Sequence, residues 1–506
     1  MTEEQLAQPM VMETQRPDIL ERVLFVLAVL ALALAPTQLT ITVKHIPLHP
    51  AELVLLPAAL VWAIRWLWKH NNRDLPPLTH WLVIFAAGIG FFMVSAVIME
   101  TLTARTFPPE ELLQRTELLR EARVAIAKET IQLILYLLLA YTIFRTALST
   151  PRRLRAAVIA LLVTTSLAML LAVVQRVALQ TQYQPNPRLR VPFKVQTAAA
   201  YLSAKLPFHV CGPFNTWNKF GANPSRATYA GFLALVLPFV LALLVSERKR
   251  PGMVIWTSVM LLAAAFTVLA GYLAPAILLG LLVTGFALGA RIGRLTLIGV
   301  VAYLLIVSLA GGFNRREIIE EPFQPRISAR EAGYIPVYDE VRHLKKFWGE
   351  QQAALRVVRD YPLFGAGAGR YRQQVGLGQY WGGQQWGKLA DVKSQRDEPN
   401  AVNGYLLVAA TMGLLGLAAL LLLYGRYLGM AGRAVRSGQA KPWTAALLGA
   451  MVALALITLA TNPWVRGLSV VIIAWLAAIG NFTTFSPEGR MITQEDATCD
   501  QSSRAR

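Results

Sequence analysis

Four basic residues lie beside apolar runs or glycine-rich turns, where they could hold a strongly anionic group. Arg226 directly precedes an apolar run, and Lys219 lies seven residues before Arg226. Arg370 and Arg372 belong to the sequence GAGAGRYR. Guanidinium groups stabilise concentrated negative charge through charge-assisted hydrogen bonds, without the help of a metal ion. Residues 180–226 carry six basic residues and no acidic one. This set predicts a phosphate-bearing substrate; the alternatives are anionic lipid head groups and, for Arg226, a membrane anchor.

Three further polar residues stand just before another apolar run. Asp397 and Glu398 could act as general bases that take a proton from an acceptor hydroxyl, and Asn403 could orient such a hydroxyl. A helix N-cap is the alternative for Asn403, and a solvated loop surface is the alternative for the two acids. For Arg370 and Arg372, the alternative to substrate binding is a structural contact with Asp397, with Glu398 or with a backbone carbonyl.

Metal and dinucleotide sites are not expected from this sequence. The chain has two cysteines and no H-E-x-x-H motif, and its sequence lacks the set of several closely spaced Cys and His residues that a structural zinc site needs. The sequence GAGAGR has glycine spacing like that of a dinucleotide loop, but no alternation of strands and helices surrounds it. We therefore predict no metal ion and no cofactor, and we interpret these glycines as allowing a tight backbone turn near the membrane.

Long apolar runs predict an all-α, polytopic integral membrane protein. Of the 506 residues, 55% are hydrophobic and 15% are charged, whereas about a quarter of the residues in a soluble protein are charged. The runs have the ~20-residue length of a membrane-spanning helix and lack the alternation of a barrel strand. We predict about twelve spans: Ile19–Ile41, Pro47–Trp68, Trp81–Met99, Thr130–Leu148, Ala156–Val174, Ala227–Val245, Met253–Leu273, a weaker Pro275–Ala290, Leu295–Gly312, Tyr405–Tyr424, Ala445–Ala460 and Val465–Phe482.

The placement of the positive charge predicts the orientation of these spans. The net charge is +20, and its arginines and lysines concentrate in the short connections after every second span. By the positive-inside rule, that side is cytoplasmic, so both tails (1–18 and 486–506) lie in the cytoplasm and the 313–400 loop lies outside. The sequence thus predicts a multi-pass protein of the cytoplasmic (inner) membrane with one membrane domain, 19–485. The charge is accounted for by membrane lipids, so nucleic acid is not an expected partner.

Three segments are predicted to lie on the outer side between spans: 100–129, 180–226 and 313–400, the last of which contains residues 340–359 and 376–388. Residues 100–129 and 340–359 have the apolar spacing of amphipathic helices, whereas residues 376–388 are rich in Gly and Gln and are expected to be irregular. The remaining outer segment is the basic stretch 180–226. His209 and His343 lie in outer segments and are weaker candidates for proton transfer.

Three sequence segments resemble the family of O-antigen ligases and Wzy-type O-antigen polymerases. NKFGANPSRATYAGFLALVLPFVLALL (Asn218–Leu244) resembles the family's entry to a middle span, and DYPLFGAGAGRYR (Asp360–Arg372) resembles its D-x-PLFGVGPGNF segment. EPNAVNGYLLVAATMGLLGL (Glu398–Leu417) resembles its A-H-N-x-Y-L segment. The resemblance covers roughly residues 210–425 and includes the pattern of about twelve spans with a large outer loop. It implies a membrane glycosyltransferase of the GT-C-like class.

The resemblance implies transfer of a glycan from a polyprenyl-pyrophosphate donor to a glycan, lipid or protein acceptor, without a metal ion. Arg226, Arg370 and Arg372 would then grip the pyrophosphate. Two positions depart from the family's pattern: its histidine aligns with Val402, which cannot accept a proton, and an arginine after its seventh span falls near Tyr272. An enzyme with an altered site, a non-catalytic relative in a polysaccharide assembly or export complex, and a lipid or glycan transporter therefore all remain open.

Overall fold

In the computed structural model of the protein, the described part of the chain is helical apart from one short hairpin. The structure describes residues 19–36, 41–43, 46–69, 139–183, 226–268, 274–320, 351–367, 371, 403–438, 440–460, 462–463 and 466–484. The helices in these ranges are α1 (Ile19–Leu34), α2 (Pro50–Lys69), α3 (Tyr141–Ala147), α4 (Pro151–Tyr183), α5 (Arg226–Ser246), α6 (Pro251–Val268), α7 (Ala274–Leu288), α8 (Ala290–Glu320), α9 (351–360), α10 (Gly404–Arg436), α11 (Lys441–Ala460) and α12 (Arg466–Thr484). The hairpin consists of β1 (Ile41–Val43) and β2 (Ile46–Leu48).

Three of the described helices are long and apolar enough to cross a membrane: α2 over Pro50–Trp68, α10 and α11. Four shorter apolar helical stretches lie in α5, α6, α7 and α12. Leucines and other large apolar side chains are exposed along α1, α2, α8 and α10, as expected where a helix faces lipid and not water. The helical class is confirmed. The predicted span Trp81–Met99 and the predicted helix 100–129 lie outside the described residues.

Several predicted boundaries are wrong. Helix α1 ends at Leu34 and not at Ile41, because the β-branched sequence ITV that follows pairs as a strand with residues 46–48. Helix α4 continues to Tyr183 and α8 to Glu320, so the first residues of the predicted loops 180–226 and 313–400 are helical. Helical hydrogen bonds are internal to the chain, so a helix does not have to stop where its apolar run stops.

Small residues set the packing between α7 and α11. A Cβ atom added to Gly280 would lie 2.9 Å from both the Ala453 Cβ and the Gly449 carbonyl oxygen, and Gly449 in turn faces Thr284. Without a hydrophobic force between helices in lipid, close backbone approach at small residues is a main source of attraction. The pairing of 280 with 453 and of 284 with 449 makes α7 and α11 antiparallel.

Several helix termini lie together at one end of the bundle and are joined by polar contacts. We call this end, which carries Arg145, Arg153 and Arg155, the basic end. Arg153 near the start of α4 pairs with Glu21 near the start of α1. Arg155 pairs at 2.6 Å with Glu247, which follows the end of α5. Near the end of α12, the Asn481 amide donates to the carbonyls of Arg145 and Leu148 at the end of α3, at 2.8 and 3.1 Å. The first and last described helices therefore have their outer termini at the same end of the molecule.

Candidate functional site at a broken helix

Helix α10 is broken at Gly413 into two halves, 404–412 and 414–436. Gly413 has φ 71° and ψ −173°, which is not helical. The rings of Tyr405 and Tyr424 lie on opposite sides of this break, yet their centroids are 6.1 Å apart in an edge-to-face arrangement. In a straight helix, 19 residues would separate their Cα atoms by about 28 Å. The two halves therefore fold back on one another, and the predicted single span Tyr405–Tyr424 is wrong in this respect.

Both halves are tied to α11. The Tyr405 hydroxyl of the first half donates to the Ala455 carbonyl at 2.8 Å. The Tyr424 hydroxyl of the second half lies 3.2 Å from the Thr458 hydroxyl. Because residues 455 and 458 are near the end of α11, these bonds hold the first half of α10 beside that end of the helix. The Gly413 break lies beyond it, away from the basic end.

The glycine-rich turn after α9 docks on this break through backbone hydrogen bonds. The Ala366 and Gly367 amides donate to the Ala410 and Thr411 carbonyls at 2.8 and 3.0 Å, and the Leu414 amide donates to the Pro362 carbonyl at 2.8 Å. The last carbonyls of one half-helix and the first amides of the next have no partner inside a helix. Some of these groups are satisfied here by a segment more than 40 residues earlier in the sequence.

Two glycines make this contact possible. Gly365 and Gly413 have φ values of 68° and 71°, a region that costs an L-residue with a side chain roughly 1–2 kcal/mol. A Cβ on Gly365 would overlap backbone atoms of Thr411, Met412 and Gly413, and a Cβ on Gly413 would overlap the Leu363 carbonyl. The interpretation of Gly365 as a turn residue is confirmed, and its role extends to direct backbone contact with α10.

A small apolar cluster fixes α9 and the following residues on the first half of α10. Ala353, Ala354 and Val357 of α9 are fully buried, and they pack with Ala366, Tyr371 and Ala410. The predicted amphipathic helix 340–359 is confirmed over its described part, 351–359. Tyr371 is 3% exposed, so an aromatic anchor stands between Arg370 and Arg372 in the sequence. The segment that follows α9 therefore lies against the first half of α10.

Asn403 caps α10. Its side-chain oxygen Oδ1 accepts hydrogen bonds from the Tyr405 and Leu406 amides at 3.0 and 3.1 Å. These bonds satisfy two orphan donors of the first turn, as an N-cap does. The capping interpretation is therefore correct. The two bonds use Oδ1, and a role for the Nδ2 amide in orienting a hydroxyl stays a prediction.

The other predicted site residues are placed only in part. Arg226 is the first residue of α5, as its position before an apolar run predicts. The structure describes its backbone and not its side chain. Nine other residues and one segment that the sequence analysis singled out lie outside the described residues: Lys219, Arg370, Arg372, Asp397, Glu398, His209, His343, Val402, Tyr272 and the segment 376–388.

Sequence reasoning missed the break in α10 and the burial of Tyr371. The signal for the break was present in MGLLG, where Gly413 and Gly416 interrupt an otherwise strongly apolar run. A Cβ on Gly416 would overlap the Met412 side chain across the break. Glycine pairs are a recognised cause of sharp kinks in helices, so the two glycines were a usable sign.

Comparison of the chain with protein-family models and with curated protein sequences gives no match.

Proposed function

We propose that the protein is a membrane glycan transferase that moves a glycan from a polyprenyl-pyrophosphate donor to an acceptor at the outer face of the cytoplasmic membrane. The observation that carries the proposal is the docking of the segment 361–367 on the break in α10. Two of the three segments whose sequences resemble O-antigen ligases, Asp360–Arg372 and Glu398–Leu417, thereby form one unit. The docked turn leads directly to Arg370 and Arg372, and Asn403 begins the helix on which it docks.

The reaction fits the residue types of this unit. An acceptor oxygen attacks the anomeric carbon of the donor sugar, and the bond between that carbon and the pyrophosphate oxygen breaks. The pyrophosphate leaves with the bonding electrons, and the acceptor proton passes to a base, for which Glu398 and Asp397 are the candidates. Arg226, Arg370 and Arg372 stabilise the negative charge that develops on the leaving pyrophosphate. This stabilisation lowers the barrier to transfer in place of a metal ion.

Transfer by the purified full-length protein in lipid tests the proposal. The donor is a polyprenyl-pyrophosphate oligosaccharide, and the product is a glycan moved to an added acceptor glycan or lipid. We expect Arg370→Ala and Arg372→Ala to lower the rate by about tenfold or more, since each removes a charge-assisted contact to the leaving group. Arg359→Ala removes an exposed cation from α9 and is the matched control, with an expected change of less than about twofold.

A non-catalytic relative that binds lipid-linked glycan is the second candidate. It is favoured by Val402 beside Asn403, because valine offers no proton acceptor where the resemblance implies a histidine. Donor binding by the wild-type protein without turnover, under conditions in which the acceptor is also bound, would establish this candidate and exclude the transferase.

The break in α10 at Gly413 is one observation in favour of the transporter alternative, since broken helices are common in transporters. In those proteins the unwound carbonyls are open to a substrate or ion, whereas here Ala410 and Thr411 already accept hydrogen bonds from the docked turn. Movement of intact donor across the bilayer of sealed vesicles, without a change in its glycan, is the result that would favour transport.

A further inference from the structure

A second group of polar residues lies at the basic end, where α3, α10 and α12 meet. Tyr141 and Arg145 stand one helical turn apart on α3, and Tyr427 of α10 lies beside Tyr141. Both tyrosines are 1% exposed. Tyr427 is about 20 Å along the α10 axis from Gly413, at 1.5 Å per residue. This group is therefore separate from the broken-helix unit.

Two atoms of this group lack partners although they are buried. Neither the Tyr141 hydroxyl nor the Nη1 atom of Arg145 has a hydrogen-bond partner among the described residues. An unpaired polar group in an apolar interior is costly, and an unpaired buried charge is more so. Native proteins seldom leave such groups without a water or a ligand. A bound group that accepts hydrogen bonds would remove this cost.

The charges around the group have one sign. The two charged side chains of the described residues that act electrostatically on Tyr427 are both basic, Arg145 and Arg426. The Asn481 amide bonds the carbonyls of Arg145 and Leu148, so it fixes the end of α3 and leaves the Arg145 guanidinium to other partners. The group thus consists of hydrogen-bond donors with a positive field.

We propose that this group is a binding site for a phosphate group, carried by an anionic lipid head group or free in solution. A phosphate diester or monoester offers only acceptor oxygens, which match the Arg145 guanidinium and the two tyrosine hydroxyls. Arg426 adds to the attraction. Basic pockets between helices at the ends of membrane bundles are suited to the head groups of anionic lipids.

Thermal unfolding of the delipidated full-length protein in an uncharged detergent tests the site. Its 12 tryptophans report unfolding through intrinsic fluorescence. The additives are phosphatidylglycerol, phosphatidylcholine with the same acyl chains, and inorganic phosphate. We expect phosphatidylglycerol to raise the unfolding temperature in a saturable way and phosphatidylcholine to have little effect. The apparent affinity for phosphatidylglycerol should fall by about tenfold or more in Arg145→Gln and in Tyr141→Phe.

Arg436→Gln removes an exposed arginine near the same end of α10 and controls for general surface attraction; its affinity should stay within about twofold of wild type. Tyr141→Phe keeps the test decisive if Arg145→Gln does not fold, because it removes one hydroxyl and leaves the buried ring in place. A phosphate effect equal to that of the lipid, with the same sensitivity to both variants, assigns the site to free phosphate. An undiminished lipid effect in Tyr141→Phe, or an equal effect of phosphatidylcholine, overturns the proposal.

Discussion

At the scale of single residues, Asn403 carries two interpretations that one pair of substitutions can separate. Its Oδ1 atom caps α10, and its Nδ2 atom is the group that could orient an acceptor hydroxyl. Asn403→Ala removes both functions, and we expect it to lower the free energy of unfolding by about 1 kcal/mol. Asn403→Asp keeps a capping oxygen and replaces the amide donor by a second oxygen, so stability should stay near that of wild type.

Transfer rates measured on these two variants then decide between the interpretations. If Nδ2 orients the acceptor, Asn403→Asp loses transfer activity while it unfolds at the wild-type temperature. If Asn403 is a cap alone, Asn403→Asp transfers as wild type does. Asn403→Ser, which retains a cap without a charge, controls for the new carboxylate.

The same residue shows what sequence reasoning can reach. An Asn just before an apolar run predicts a helix start, because its short side chain can accept from the first free amides. The cap was therefore among the alternatives. Tyr371 shows the opposite case: one tyrosine between two arginines gives no sign of burial, because its partners Ala353, Ala354 and Ala410 come from two other segments.

At the scale of elements, the break in α10 is the feature on which the candidate site depends. Gly413→Ala places a side chain at φ 71° and against the Leu363 carbonyl. We expect the free energy of unfolding to fall by more than about 2 kcal/mol, since a left-handed conformation and an overlap are imposed together. Slow amide hydrogen exchange in residues 361–367 should become fast, because the docking surface moves when the break straightens.

Gly429→Ala in the second half of α10 is the matched control. Nothing lies within 4 Å of a Cβ added at Gly429, so the substitution replaces a helical glycine by the best helix former. A gain of up to about 1 kcal/mol is expected, with unchanged exchange in residues 361–367. If Gly413→Ala keeps wild-type stability and wild-type amide hydrogen exchange in residues 361–367, docking of this segment does not depend on the conformation of Gly413.

The existence of the helices followed from apolar length, but the break did not. Hydropathy adds up side chains along the chain, and GYLLVAATMGLLGLAALLLL reads as one uninterrupted span. The reversal at Gly413 is stabilised by the Ala366, Gly367 and Pro362 backbone groups, which are remote in sequence. Backbone hydrogen bonds to a distant segment leave no periodic signal, so glycine content was the remaining clue.

At the scale of the whole molecule, the side of the large loop depends on whether α7 crosses the bundle. Helix α7 has 15 residues, about 22 Å, which is short for a bilayer core of about 30 Å. Its antiparallel contact with α11 nevertheless runs from Gly280 to Thr284 against Ala453 to Gly449. Since α11 starts beside the end of α10, the end of α7 lies at the basic end.

Helix α8 then leads away from the basic end. It is joined to α7 by Gly289 at φ 154°, and Gly293 lies against Phe286, so the two helices form a tight antiparallel pair. With 31 residues, α8 is long enough to reach the opposite end of the bundle. Residues after Glu320 should therefore lie on the side opposite to the turn between α5 and α6, which carries Arg248 and Arg250.

Single cysteines introduced into a variant with Cys211→Ser and Cys499→Ser test this arrangement. A membrane-impermeant maleimide should label Gln384→Cys in intact spheroplasts, and it should label Ser246→Cys only after permeabilisation, because the positive-inside rule predicts that the basic turn beside residue 246 faces the cytoplasm. Inverted membrane vesicles should reverse the result. Labelling of both cysteines only after permeabilisation would mean that α7 does not cross, and Arg370 and Arg372 would then be on the cytoplasmic side. The proposed transfer on the outer face requires an odd number of crossings between residues 246 and 384, as expected if α6, α7 and α8 each cross the membrane once.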